Sequence, residues 1–485
     1  MWLKTNNLLW IIASAVACCS FLSAESFIEE EEVVTTYTPA DNGAGPLWCY
    51  GSTVIARIEN NVYLSIIETG KDIPPLCNTR WQLWHRSDKQ SWETIFHEQQ
   101  YKQREPCPIG LFQTGAVFLS VNPSTEPPGT KYGRCQPQII EFNSTDPRKT
   151  FRIHEPIWAE GTHFTDHSYR GFAADGKNNE LLLLNINAGT GEQFASYKDN
   201  TGKWHQKDKI RFPIRACYPQ VALVNKAAHV LAIGDIVEPN EQWRKLKFEK
   251  LKRNWDYVFR RLFYTYTPDI EQTPFSEPVE IDSVEKTGGH ITNLDLYIDE
   301  SGNTHILYLK RPHQYSFIRD KYFPGRPMTV HLEYMIIKDG KVLTHTSLCE
   351  TPTQNQEGLE PSYARFHIDS GKNLYVIAAG TMKHAQKNSF GNFMVKIDEK
   401  KSQLEFEKLS LQHPFQVFFT NTPRGGSRPS DIIDLFGIAE DNPNLRYARI
   451  RLESGTQSRT RQNDKQLKID KSQPPKKPLF SGMPG

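Results

Sequence analysis

The chain has 485 residues, enough for several small domains or one large repeat domain, and its 58 Lys and Arg against 56 Asp and Glu leave a formal net charge of +2. That balance excludes the basic excess of a general nucleic-acid binder. Beyond the N-terminal segment no stretch approaches the roughly 18 uninterrupted apolar residues of a transmembrane helix.

The N-terminus reads as an export signal. Lys4 gives a thin positive region, Leu8 to Ala17 are apolar, and small residues follow at Ser20, Ser23 and Ala24. The apolar run is too short to span a bilayer. Residues 1–24 are therefore expected to be removed, with secretion or a periplasmic location the result. Ala15-Val16-Ala17-Cys18 leaves a lipoprotein anchored at Cys18 as the alternative. Six cysteines follow: Cys49, Cys77, Cys107, Cys135, Cys217 and Cys349. An even count in an exported chain predicts disulfides, with the pairing open, and the absence of any C-x-x-C pair argues against a zinc ribbon.

After Val33–Tyr37, an isolated strand-like run, the chain falls into a four-strand unit repeated seven times. Ser52–Ile58, Val62–Glu68, Arg80–Arg86 and Trp92–His97 make the first unit. The second runs from Cys107 to Ile157, the third from near His167 to Pro213, and the others start at Cys217, Gly289, Pro361 and Pro429. Cys49 to Cys77 spans 28 residues, as does Cys107 to Cys135, and the two pairs repeat at 58. Asp175-Gly176, Asp299-Glu300-Ser301-Gly302-Asn303 and Asp369-Ser370-Gly371 fall between first and second strands, with the Asp and Gly that tight hairpins require. A repeated sheet unit of this size predicts an all-β fold, a seven-bladed β-propeller over residues 45–453 with four-stranded antiparallel blades. The seventh unit has only two strands of its own, Asp431–Ile438 and Leu445–Leu452. The run at 33–37 is expected to complete it and join the chain ends, which removes an exposed sheet edge. Trp243 to Arg253 interrupts the fourth unit as a short basic helix, and residues 454–485, polar and without periodicity, read as a disordered tail.

The turns carry a family likeness. Asp199…Gly202-Lys203-Trp204 and Ser87-Asp88…Trp92 approximate the Ser-x-Asp-x-Gly-x-x-Trp box, and with the blade pattern the chain resembles the bacterial-neuraminidase-repeat (BNR) propellers of the sialidase superfamily. That superfamily includes hydrolases, lyases and non-catalytic binders. Phe151-Arg152-Ile153-His154 departs from the sialidase Phe-Arg-Ile-Pro motif at its last residue and falls on an outer strand, so Arg152 takes no sialidase role. The chain also resembles seven-bladed polysaccharide lyases that act on uronate polymers, whose sites use His, Tyr and Arg around the central mouth.

The starts of the innermost strands converge on one face of a propeller. Here those starts supply His163, His167, Tyr169 and Arg170, then Arg215 and Tyr218, then Gly288-Gly289-His290, then Tyr363 and Arg365, and last Arg424 and Arg428. His167, Tyr169, Tyr218 and His290 are the candidate acid–base residues. Arg170, Arg365, Arg428 and His163 are the candidate substrate-binding residues. The competing reading makes the tyrosines wedge fillers between blades and pairs Arg170 and Arg365 with Asp166 and Asp369. An Arg fork neutralises a uronate carboxylate, which eases loss of the neighbouring carbon-bound proton to His or Tyr. Hydrolysis instead needs two carboxylates, and Asp166, Asp295 and Asp431 are the acids expected nearest the mouth. The sequence therefore points to β-elimination on an acidic polysaccharide. A non-catalytic glycan- or protein-binding propeller and a sialidase-like hydrolase are the alternatives. No cofactor, metal or nucleic-acid partner is expected, and the chain is expected to be a monomer. His163 and His167 lie on a loop with no third ligand nearby.

Overall fold

The computed structural model of the protein describes residues 26–452, apart from 49–51, 89, 144–145, 255, 353–355, 385–386, 399–403 and 441–442. The expected signal (1–24) with Cys18, the tail (454–485) and Cys49 lie outside the described residues. Nearly all of the description belongs to the unit 28–451; of the terminal unit, 1–27 with 452–485, it covers Ser26, Phe27 and Leu452.

The fold is a seven-bladed β-propeller of four-stranded antiparallel blades. The first four strands after the N-terminal one, Ile55–Ile58, Asn61–Thr69, Thr79–Arg86 and Glu93–His97, form blade one in sequence order. Blades two, three and four have innermost strands Ile109–Leu111, Arg170–Asp175 and Ala216–Val224, and those of blades five and six are His290–Ile298 and Gly358–Ile368. Inner strands are largely buried: every residue of Glu180–Ile186, the second strand of blade three, is buried. Adjacent blades share wedge-shaped cores, such as the one where Ile109, Leu111 and Val117 of blade two meet Ala56, Tyr63 and Trp81 of blade one. Burial of these faces between sheets is the main stabilising term of such a fold.

The hairpins form as their residues dictate. Asp299 Oδ1 accepts from the amides of Ser301 and Asn303, each at 2.8 Å, and Asp369 Oδ1 accepts from Asn373 N at 2.8 Å. At the third-to-fourth-strand turn of blade three, Asp199 Oδ1 accepts from Thr201 N and Lys203 N at 2.9 and 3.0 Å. These Asp-turns satisfy backbone amides that the hairpin leaves without strand partners.

Blade seven closes the ring. Its sheet order runs from the N-terminal strand Ser26–Thr36 through Asn444–Leu452 and Ile432–Ala439 to Phe415–Thr420 on the inside. The expected closure by an N-terminal strand is found. The expected start at Pro429 is corrected: this blade opens at Phe415, and the last strand of blade six is the two-residue Glu407–Lys408. The stretch 421–431, between the first two strands of blade seven, is not a blade entry. It folds into the axis and touches the inner strands of all six other blades. Leu111 N donates to Gly425 O (2.9 Å), Ala174 N to Arg424 O (2.8 Å) and Ser430 N to Ile368 O (3.0 Å). Arg57 N donates to Ser427 Oγ at 3.0 Å, and Arg424 reaches Val221 O at 3.5 Å and Asp295 Oδ1 at 2.8 Å. Gly426 is required here. Its φ is +85°, and a Cβ would stand 1.9 Å from Leu111 O.

Helix α1 (Glu241–Leu251) and helix α2 (Ser316–Tyr322) are insertions between second and third strands of blades four and five. Asn240 caps α1, accepting from Gln242 N and Trp243 N at 3.1 Å. Trp243, Leu246 and Ile318 form a small core between the two helices. No helix among the described residues is long and apolar enough to cross a membrane.

Candidate active site at the mouth of the propeller

The inner strands begin on the face opposite the 421–431 segment, and the loops between second and third strands rise around the same mouth. The segment entering blade two carries Arg104 and Glu105. It is held against blade one by reciprocal backbone bonds between Thr79 and Gln103, at 3.0 and 2.8 Å. Arg104 Nη1 donates to Glu105 Oε1 and to Asp166 O, both at 3.1 Å, and its Nε donates to Asn42 O at 3.3 Å. Burial pushes the Glu105 carboxyl above the usual carboxylate range, against the opposing pull of Arg104, Arg170 and His167.

The next entry supplies Asp166 to Arg170. His167 Nδ1 lies 2.7 Å from Asp166 Oδ2, and its ring packs on Tyr132 with centroids 4.7 Å apart. The Asp166 carboxylate is fully buried while a quarter of His167 is exposed, and the two meet as an ion-pair contact outside hydrogen-bond geometry. Tyr169 and Tyr218 meet with ring centroids at 4.5 Å and hydrogen-bond one another. Burial raises both phenols, Tyr218 well above its ordinary value. Arg170 is buried; its Nη2 donates to Pro106 O at 2.8 Å and its Nε has no hydrogen-bond partner. Arg215, a third exposed, sits 6.0 Å from the Tyr169 ring and pairs with Asp235.

Tyr218 has φ +49° at a register shift between Cys217 and Gln220. A large aromatic residue in the left-handed region costs free energy, and such outliers concentrate at functional sites. Trp48 stands edge-on to its ring at 5.9 Å, and Phe259, also at 5.9 Å, links it to His290 at 5.7 Å. Burial lowers the His290 imidazole to about 4, helped by Arg311 and Arg260, so it is neutral.

Of the eight residues singled out in the sequence, His167, Tyr169, Arg170, Tyr218 and His290 fall at or next to the starts of the innermost strands of blades three to five. His163 lies on the loop before them, where its carbonyl accepts from Ala188 N at 3.1 Å. Arg365 and Arg428 are elsewhere. Arg365 is buried part-way down the axis, with Nε and Nη2 donating to Tyr363 Oη at 3.1 and 2.6 Å and the Phe419 ring at 4.6 Å. Arg428 is exposed on the 421–431 segment at the far face. Strand position explains both. Tyr363 and Arg365 fall in the middle of an eleven-residue strand rather than at its start, and the start of blade seven is Phe415. Of the expected acids, Asp295 is committed to Arg424 and to Phe366 N. Asp431 accepts from Ser370 N and Oγ, at 3.1 and 2.7 Å. Asp166 contacts His167 instead of Arg170.

Sequence reasoning missed Arg104, Glu105, Trp48 and Phe259. Arg104 and Glu105 precede the inner strand of blade two as Tyr169 precedes that of blade three, so the rule of strand starts reaches them once applied to that blade. Trp48 and Phe259 lie on connecting segments with no local signal. Among the described residues, no group of three or more His, Cys, Asp or Glu is placed to hold a metal ion. A cavity of about 530 Å³ lies on the far face between blades one and two. Its polar residues are largely paired, as in His85 Nε2 with Asn61 Oδ1 at 2.9 Å.

The class this architecture defines is the seven-bladed β-propeller. No protein-family model matches the sequence, and no curated protein matches it. Among solved structures the chain is similar to an ulvan lyase of polysaccharide lyase family PL25, at 11% identity over 88% of this chain and 99% of that one, with TM-score 0.52. The same lyase bound to -[GlcA(1-4)Rha3S]- gives 0.51 at 11% identity over the same shares. An α-L-arabinanase of Penicillium chrysogenum in complex with arabinobiose gives 0.42 at 10% identity, over 88% and 98%. At these identities the likeness is one of fold.

Proposed function

We propose that this protein is an exported carbohydrate-active propeller of the sialidase-superfamily kind that acts on an acidic polysaccharide at its mouth by β-elimination. The carrying observation is the contact of Tyr218, held in a strained conformation, with Tyr169, beside the Asp166–His167 pair and Arg215. His167, in ion-pair contact with Asp166, is the base that removes the carbon-bound proton. Tyr218, a protonated phenol, donates to the leaving oxygen, with Tyr169 and neutral His290 completing the polar arc. Arg215, the more exposed arginine, meets the uronate carboxylate, and buried Arg170 positions the strand entry behind it. An acidic substrate fits the rim. Helix α1 stands next to the entry of blade five, where a Cβ on Gly288 would lie 3.1 Å from the Trp243 ring. The helix and the two residues after it expose Arg244, Lys245, Lys250, Lys252 and Arg253, a local excess that draws polyanions. The ulvan lyases of similar fold support the substrate class.

One observation favours a second reading. Glu105 lies close to Tyr169, with Arg104 hydrogen-bonded to both, which suits a hydrolase with a tyrosine nucleophile. A screen of acidic polysaccharides separates the readings. Elimination gives ultraviolet absorbance from an unsaturated uronate, hydrolysis gives new reducing ends without it, and binding without either selects the non-catalytic alternative. For a lyase, His167→Ala and Tyr218→Phe each lose at least about 10²-fold in kcat. Full activity in both variants refutes the assignment.

A further inference from the structure

Two buried thiols lie at a junction of the mouth that the proposed chemistry does not use. Cys77 is in the loop between second and third strands of blade one, and Cys135 in the corresponding loop of blade two. Both are buried free thiols, and their side chains hydrogen-bond to one another. Each is built into backbone that frames the candidate site. Cys135 N donates to Phe164 O at 2.9 Å, Arg134 bridges Thr165, and Asp166 N donates to Gly133 O at 3.2 Å. The loop bearing Cys135 is thus paired with the loop bearing Asp166 and His167. On the other side, Asn42 Nδ2 donates to Leu76 O (3.0 Å), Asn78 Oδ1 (3.1 Å) and Arg104 O (2.9 Å). The Cys77 loop is thereby tied to the Arg104–Glu105 segment.

We propose that Cys77 and Cys135 close into an inter-blade disulfide that fixes the loop carrying Asp166 and His167 against the entry of blade two. The oxidant is a small-molecule or protein disulfide. The Cys77 thiolate attacks one sulfur of it, forming a mixed disulfide and releasing one donor thiol. Cys135 then attacks the Cys77 sulfur, the Cys77–Cys135 bond forms, and the second donor thiol leaves with the Cys135 proton. Two protein thiols and one disulfide become one protein disulfide and two thiols. The contact between the two side chains lowers the Cys77 thiol, while the same contact and burial raise Cys135.

The test uses the full chain, incubated with oxidised glutathione or with dithiothreitol. Oxidised protein is expected to lose two hydrogens in intact mass. Its non-reduced peptide map should join the Cys77 peptide to the Cys135 peptide, and Cys135→Ser should trap glutathione on Cys77. Both cysteines remaining open to alkylation in unfolded, oxidised protein, or a map joining Cys77 to another cysteine, overturns the bond. Hydrogen exchange of the wild-type chain tests the fixing role and needs no variant to fold. Amides 164–168 are expected to exchange at least about tenfold faster after reduction, with the inner strand of blade five unchanged as control. Equal exchange in the two redox forms overturns that role.

Discussion

The 421–431 segment predicts a large and specific stability effect far from the mouth. Arg424 and Asp295 form an ion pair at 2.8 Å with side chains 3% and 1% exposed, in the axis where blade seven meets blade five. Removing one member of a buried pair leaves the other charge without compensation and costs about 3–5 kcal/mol. Asp295 keeps the amides of Leu296 and Phe366 as donors, each at 2.9 Å, so Arg424→Met belongs toward the lower end of that range. The double variant Arg424→Met/Asp295→Asn removes both charges and should recover at least about 1 kcal/mol of the sum of the single losses. Urea unfolding followed by tryptophan fluorescence measures all four proteins. A loss below about 1 kcal/mol for Arg424→Met, or strict additivity in the double variant, would refute the view that this pair locks the segment into the axis.

Acid should weaken the fold through His229, which is buried and contacts Tyr264 Oη at 2.7 Å and Thr304 Oγ1 at 3.0 Å. Burial lowers its folded value from 6.5 to about 4, so its contribution is complete above pH 6.5 and is lost as pH falls toward 4, by about 3 kcal/mol in all. His229→Gln should shrink the difference in unfolding free energy between pH 7 and pH 4.5 by about 2 kcal/mol, and an unchanged difference would count against this account. The variant Lys245→Gln/Lys250→Gln/Arg253→Gln, in helix α1 and just after it, should weaken binding to an acidic polysaccharide at low salt by about tenfold and flatten its salt dependence, because these charges are solvent-exposed and screened. Unchanged affinity and salt slope in a pull-down or calorimetric titration would exclude the helix from the binding surface.

The sequence by itself determined the repeat. Hairpin geometry is decided within a few residues, so the turns at Asp175, Asp199, Asp299 and Asp369 were legible without any tertiary information, and buried strands such as Leu181–Ile186 announce themselves by composition. The incomplete seventh unit also implied that the N-terminal run must close the ring, since an open blade edge is costly. The helical spacing of Trp243–Arg253 gave α1 to within two residues. What the tertiary structure decided is which strand starts share the mouth. Arg365 and Arg428 share the local character of Arg170, yet strand length buries one in the axis and a displaced blade boundary puts the other on the far face. The same boundary turned an apparent blade entry into the segment that fills the axis, because Gly425 and Gly426 allow a close approach to Leu111 that no neighbour in sequence specifies. The meeting of Tyr169 with Tyr218, and of Cys77 with Cys135, likewise depends on adjacent blades being brought together. Such contacts follow from ring closure between residues far apart in the chain, and periodicity carries no record of them.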